Sequence, residues 1–305
     1  CTPSKVPVVA TADSNVLNSV KERYTFNVCC IFPQNKHRNR NTMNKISPGQ
    51  AIQAGWLRFK NQAALYVAFT VVYFVLLTLI SSVGNGVGTM FGFLGGAKAT
   101  LAISSIISGV AASFLTLGYA HVAHKDQLGE AVEFGTFFDA FRVNQKPLLQ
   151  VSVVTSLVGL ISVIMFPDEF FNMASGQIQD PDEILMLIQD MGIDMRESSG
   201  TLIAVGLIQL VFSIGLMFST YKASIEGSDL FESITWSFKV SMPNFLRIFI
   251  TFFLVGILTV IFTVLTLFIG LLAIIPIVML VYYDMYDQVT DRPVLGIPLD
   301  EENSL

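Results

Sequence analysis

Ionised side chains are scarce in this chain: Asp, Glu, Lys and Arg make up 13% of its 305 residues, about half the share usual in soluble globular proteins. Hydrophobic residues take 52% and mean hydropathy is +0.62, so water is not the only solvent the folded chain meets. Cysteine is nearly missing. Cys1, Cys29 and Cys30 all precede the first apolar block, which excludes a disulfide framework or thiolate metal cage from everything after it.

Methionine is absent before Met43 although eleven occur in all, and residues 1–42 carry six Lys/Arg against two acids while the remainder carries twelve against twenty-one. That first stretch has no apolar periodicity, no signal-type core and no cleavage pattern. It is expected to be a disordered or spurious extension, with the native chain starting at Met43-Asn44-Lys45. The alternative is a genuine basic arm around Lys36, His37, Arg38 and Arg40.

Catalytic signatures are missing too. There is no Ser-His-Asp set, no HExxH and no glycosidase carboxylate pair in a supporting context. The run Gly96-Ala97-Lys98-Ala99-Thr100 has the outline of a phosphate loop but lacks the Gly-Lys-Ser/Thr ending and a preceding strand. The glycines between Gly84 and Gly96 are therefore expected to form a flexible hairpin. His121 and His124, followed by Lys125, Asp126, Glu130 and Glu133, fall where a span leaves the membrane. There polar anchors are expected ahead of a metal site. Met173, Met186, Met191 and Met195 offer soft thioethers that suit cuprous copper. Ile184, Ile188, Met191 and Met195 also share one helical face, which an amphipathic surface helix explains without copper. No enzyme activity, cofactor, metal or nucleic-acid partner is expected.

What the chain does have is long apolar runs: Ala63 to Val83, Thr100 to Tyr119, Leu148 to Phe166, Thr201 to Tyr221, and one from Ile248 to Tyr283, none with a charged residue. Each of the first four is near the twenty residues that cross a hydrocarbon core. The last is long enough for two and is split near Thr266 to Gly270. The expected fold is an all-α integral membrane domain over residues 43–286, with six spans at about 63–83, 100–119, 148–166, 201–221, 248–266 and 268–286, and a short tail at 287–305. Charge-free spans argue against an ion-driven carrier. Gln150, Gln209 and several Ser and Thr remain as helix-helix glue.

Basic residues stay on the cytoplasmic side of short loops. With both termini inside, Lys45, Arg58, Lys60, Lys125, Arg142, Lys146, Lys222, Lys239, Arg247 and Arg292 are cytoplasmic, and only Lys98 and Arg196 are outside. The outer loop from Pro167 to Gly200 carries eight acids, in agreement with that orientation.

A repeat emerges before spans one, three and five. Ile52, Trp56 and Phe59, then Phe134, Phe138 and Phe141, then Phe231, Thr235 and Phe238 each follow an i, i+4, i+7 spacing. A cation follows each time, Lys60, Arg142 and Lys239, and then Asn61, Asn144 and Asn244. The unit is a short amphipathic helix plus a helical hairpin, three times over. These helices either lie in the headgroup layer as a collar, with Lys60, Arg142 and Lys239 on lipid phosphates, or pack on the inner end of the bundle. The first has a readable start, Ser47 as N-cap and Pro48 at N1. In the second span Ser104, Ser105, Ser108, Gly109 and Ser113 form a small-residue surface that predicts close packing at the bundle centre. Gly270 and Pro276 break the sixth, where a kink is expected.

Residues 47 to 290 resemble poorly characterised bacterial inner-membrane proteins of the YciC-like type, and the membrane domain fused to some glycerophosphodiester phosphodiesterases. The likeness is carried by Glu232, Ser237, Lys239 and Asn244, then by Gly256, Gly270, Pro276 and Tyr283, and by Gly129, Phe134, Phe137, Phe138 and Phe141. It implies a multi-pass bacterial inner-membrane location and a role near lipid metabolism or envelope organisation, with membrane lipids as partners. It carries over no catalytic residue.

Overall fold

The computed structural model describes residues 45–91, 96–165, 186, 199–267 and 269–290. The chain divides into two units, Cys1–Thr42 and Met43–Leu305, and every described element lies in the second. All regular structure among the described residues is helical. Expectations for residues 1–42, for the tail beyond Thr290 and for all but a few residues of the 167–200 loop lie outside the described residues.

In chain order the elements are α1 (Pro48–Asn61), α2 (Ala63–Phe91), α3 (Gly96–Gln127), a 3-10 helix (Phe134–Phe141), α4 (Gln145–Met165) and α5 (Ser199–Leu216). A helical turn (Ser219–Tyr221) and a π-helical turn (Lys222–Glu226) follow, then α6 (Leu230–Ser241), α7 (Phe245–Leu265) and α8 (Leu271–Val289). Among the described residues five stretches are long and apolar enough to cross a membrane: Ala63–Phe91, Lys98–Gln127, Ile203–Glu226, Leu230–Leu265 and Leu271–Val289. The protein is all-α with the helix lengths and apolarity of a multi-pass membrane protein. Its long apolar run does divide where expected. α7 ends at Leu265, the amide of Gly270 is held by the Thr266 hydroxyl at 2.8 Å, and α8 begins at Leu271.

α2 and α3 form an antiparallel hairpin whose contacts advance in opposite directions along the two helices. Gln62 meets Asp126, Thr70 meets Tyr119, Ser81 meets Ser108 and Thr100 bonds the Gly88 carbonyl. Gly84 and Gly88 are buried in α2 against Ser104 and Thr100. The expected glycine hairpin is therefore corrected over residues 84–88. These glycines lack a side chain so that two helix backbones can touch, as small residues permit in membrane helices. On its other side, Gly109 of α3 faces Ser156 of α4.

The core lies toward one end of the helices. Tyr66, Phe69, Tyr119 and Phe137 are fully buried there, with Phe69 and Phe137 stacked at 4.0 Å and Tyr119 edge-on to Phe69 at 5.0 Å. Away from it, α2, α5 and α7 expose large apolar side chains such as Val83, Ile203, Val260 and Leu265. In water that surface would be costly; hydrocarbon is its natural solvent. The best apolar window of Leu271–Val289 is 56% buried against 28% for Lys98–Gln127. α3, the second span, packs against α2, α4, the 3-10 helix and α8, and α8 is likewise enclosed. Around α8 pack α1, α2, α3 and α7.

The three short segments are not alike. α1 starts at Ser47, extended and followed by Pro48, without a side-chain cap bond. The second segment is a 3-10 helix rather than an α-helix, which tightens Phe-Gly-Thr-Phe-Phe-Asp-Ala-Phe onto α3, where Gly118 lies under the Phe137 carbonyl. α6 runs into α7 through a single 3-10 turn, Met242–Asn244, containing Pro243.

Candidate functional site

α1 turns Ala51, Ala54, Gly55 and Arg58 inward. The small residues bring its backbone onto α8, so close that a Cβ at Gly55 would stand 2.7 Å from Val281 Cγ2 and 3.0 Å from its nitrogen. That approach carries Arg58 into the protein, over the last turns of α8. There Asp284 and Asp287, three residues apart, share a helix face. The Arg58 Nη2 lies 3.9 Å from Asp284 Oδ1 and 4.0 Å from Asp287 Oδ2. Its Nη1 donates to the Ala123 carbonyl of α3 at 3.2 Å, and its guanidinium lies 5.4 Å from the Tyr283 ring centre.

Side-chain amides complete this hub. Gln127 donates to Asp287 Oδ2 at 2.6 Å and accepts from the Tyr283 hydroxyl at 2.9 Å. A carboxylate only accepts, which fixes the orientation of the Gln127 amide. Because the phenol has given its one hydrogen to Gln127, the contact with His124 Nδ1 at 3.2 Å is donated by the imidazole. Gln288 donates to Asp284 Oδ2 at 2.9 Å and accepts from the Ser47 amide at 2.7 Å. Nearby, the Ile46 amide donates to Asn244 Oδ1 at 3.1 Å, and Asn244 donates to the Val240 carbonyl. Both ends of α1 are thereby tied down.

A second ion group shares α8. Lys222 contacts Glu226 at 2.6 Å and Glu232 at 3.5 Å, with its ammonium 5.0 Å from the Trp236 ring centre. Glu226 in turn accepts from the Tyr286 hydroxyl at 2.6 Å. The π turn that presents Lys222 is locked by Asn144, which donates to the Ser224 carbonyl at 2.8 Å, and by the His121–Ser224 contact at 2.9 Å. Such turns recur at functional sites.

The sixth helix carries buried Asp284 and Asp287, the first of them inside the expected span 268–286, so the charge-free description of the spans holds only as far as Tyr283. Arg58, counted by sequence with the cytoplasmic-side cations, is buried within the bundle. Nothing local marked it. Its burial follows from the Gly55–Val281 contact, made across more than 200 residues of chain. His121 and His124 take separate partners, Ser224 and Tyr283, and among the described residues no group of three or more His, Cys, Asp or Glu could hold a metal ion.

Lys60, Arg142 and Lys239 are exposed, each at the C-terminal end of its short segment. Cations are favoured there by the helix dipole. The faces that pack inward are not mainly aromatic: they are Ala51, Ala54 and Gly55 in α1, Thr136, Phe137 and Ala140 in the 3-10 helix, and Ser233, Ser237 and Ser241 in α6. Ser237 both donates to the Gly215 carbonyl at 2.6 Å and accepts from the Phe218 amide at 3.1 Å. Trp56, Phe134, Phe141 and Phe231 consequently face outward, while Phe59 is buried. No family model, no curated protein and no solved structure matches the chain.

Proposed function

We propose that this protein is a non-enzymatic, multi-pass module of a bacterial inner membrane that organises anionic lipids, or partner proteins held among them, at the cytoplasmic face. In this reading it has six spans in three repeats, each a short interfacial segment plus a helical hairpin, with both termini inside. The span beyond those five stretches is the third, α4, whose 21 residues rise about 31 Å at 1.5 Å each, close to a hydrocarbon core of about 30 Å. Orientation rests on the Lys/Arg distribution. The resemblance to YciC-like proteins is part of the same proposal.

The observation that carries the reading is the outward turn of Trp56, Phe134, Phe141 and Phe231 beside exposed Lys60, Arg142 and Lys239. Aromatic rings at headgroup depth with cations among phosphates are the chemistry of an interfacial collar. Replacing the three cations together with Gln is expected to cut the anionic lipid that co-purifies with the protein. Unchanged lipid retention by lipid mass spectrometry would refute the collar.

A second reading, a facilitator for a small solute or lipid, is favoured by the buried Arg58–Asp284–Asp287 group, since ionised residues within membrane helices often mark transport routes. The members of that group are buried and bonded to the Ala123 carbonyl, Gln127 and Gln288, which supports a structural role first. Flux across reconstituted liposomes separates the two: the facilitator reading requires flux above empty vesicles, abolished by Asp284→Asn.

A further inference from the structure

The cations of the collar sit on the three short segments, yet two others come together elsewhere. Lys45, just before α1, and Arg247, in the first turn of α7, line one cavity of about 310 Å³ with Pro243, Asn244 and Leu246. This volume is at the lower end of small-molecule sites, about 300–1,000 Å³. Its wall is built rather than incidental. The bond from the Ile46 amide to Asn244 Oδ1 holds Lys45 beside the α6–α7 joint that carries Arg247. Neither Lys45 nor Arg247 makes an ion pair with a carboxylate among the described residues, so the described wall of the cavity brings two positive charges and no negative one.

A second, apolar cavity of about 470 Å³ lies farther along the same helix, lined by Phe252, Phe253, Gly256, Ile257, Val260 and Ile261. Its floor is Gly256, where an added Cβ would meet no other atom within 4 Å. The notch therefore opens outward between bulky neighbours and is not filled by another helix. Leu246, Phe253, Ile257 and Val260 are all exposed and follow the i, i+7, i+11, i+14 spacing of one face. From Arg247 to Gly256 the helix rises about 14 Å, close to the half-thickness of a hydrocarbon core, about 15 Å. Arg247 and Gly256 are nine residues and about 180° apart round the helix, so what joins the cationic seat to the notch is the exposed face of Leu246, which lines the first, and of Phe253, Ile257 and Val260, which line the second, about one leaflet's depth farther on.

We propose that α7 holds a single anionic phospholipid, with its phosphate between Lys45 and Arg247 and an acyl chain laid along Leu246 and Phe253 into the Gly256 notch. The site rests on the reading that this end of the bundle lies at headgroup level, and it uses residues separate from the collar. Charge complementarity selects a phosphate, and the stripe below it selects a lipid over free phosphate.

The test uses the full-length protein in mild detergent, with native mass spectrometry after partial delipidation and re-addition of phosphatidylglycerol or phosphatidylcholine. Wild type is expected to retain one phosphatidylglycerol per chain. Lys45→Gln/Arg247→Gln is expected to weaken it about tenfold or more, since both charged donors to the phosphate are lost. Arg247→Lys should recover part of the loss. Gly256→Leu fills the notch without meeting protein, and should weaken the intact lipid while leaving the thermal transition in place. Lys60→Gln/Arg142→Gln/Lys239→Gln should reduce loosely held anionic lipid and spare the single tight one, so the collar and this site fail separately. Equal retention of both lipids, no effect of Lys45→Gln/Arg247→Gln, or displacement by millimolar inorganic phosphate would each overturn the proposal.

Discussion

Arg58 and Asp284 approach to 3.9 Å with 5% and 1% of their side chains exposed, joining the first described helix to the last. Desolvating such ions costs several kcal/mol each, and their attraction offsets the cost only while both are present. The pair is therefore asymmetric in what it does for the fold: its net contribution is small, yet losing one member is severe.

Arg58→Ala is accordingly expected to destabilise the bundle by about 3–5 kcal/mol, because it takes the guanidinium away from the buried Asp284 and Asp287 carboxylates. Thermal unfolding in detergent measures the loss. Adding Asp284→Asn to that variant should restore part of it, and a double-mutant cycle reads the coupling directly.

Gly55 makes a sharper steric prediction. Its Cβ would stand 2.7 Å from Val281 Cγ2, so Gly55→Val should cost about 1–3 kcal/mol by pushing α1 off α8. At Gly49, in the first turn of the same helix, an added Cβ meets nothing within 4 Å. Gly49→Ala should be neutral or stabilising by about 0.5–1 kcal/mol. The same unfolding assay compares the two glycines.

The joint at the π turn gives a third. Gly227 has φ +70°, and a Cβ there would lie 2.9 Å from Asn144 Oδ1. Gly227→Ala therefore meets backbone strain of about 1–2 kcal/mol and also pushes Asn144 off the Ser224 carbonyl. The expected result is a lower unfolding temperature and faster proteolysis near residue 227.

Much of this architecture was legible because apolar run length and turn residues are local signals. The break at Thr266–Gly270 and the start at Ser47-Pro48 needed only neighbours in sequence. Gly84 and Gly88 did not read correctly, since the same residue opens a loop or lets two helices touch, and only the facing Ser104 and Thr100 decide which. The hub was hidden for a related reason. Arg58 looks like any interfacial cation, and Asp284 falls one residue after the apolar run ends. Their burial depends on a helix face of Ala51, Ala54 and Gly55 meeting α8 from the far end of the chain. The aromatic spacing of the three short segments was visible, but not that the first and third pack through small or serine faces and the second through Thr136, Phe137 and Ala140.

The proposed threading puts all three short segments on one side of the membrane. The direct measurement is cysteine-accessibility labelling in intact cells, with Cys1, Cys29 and Cys30 replaced and single cysteines placed at Lys60, Arg142, Lys239 and Met186. The account predicts that Lys60→Cys, Arg142→Cys and Lys239→Cys react with an impermeant maleimide only after lysis, while Met186→Cys, exposed in the 167–200 loop, reacts in intact cells. Labelling of any one of the first three alongside Met186→Cys before lysis would contradict it.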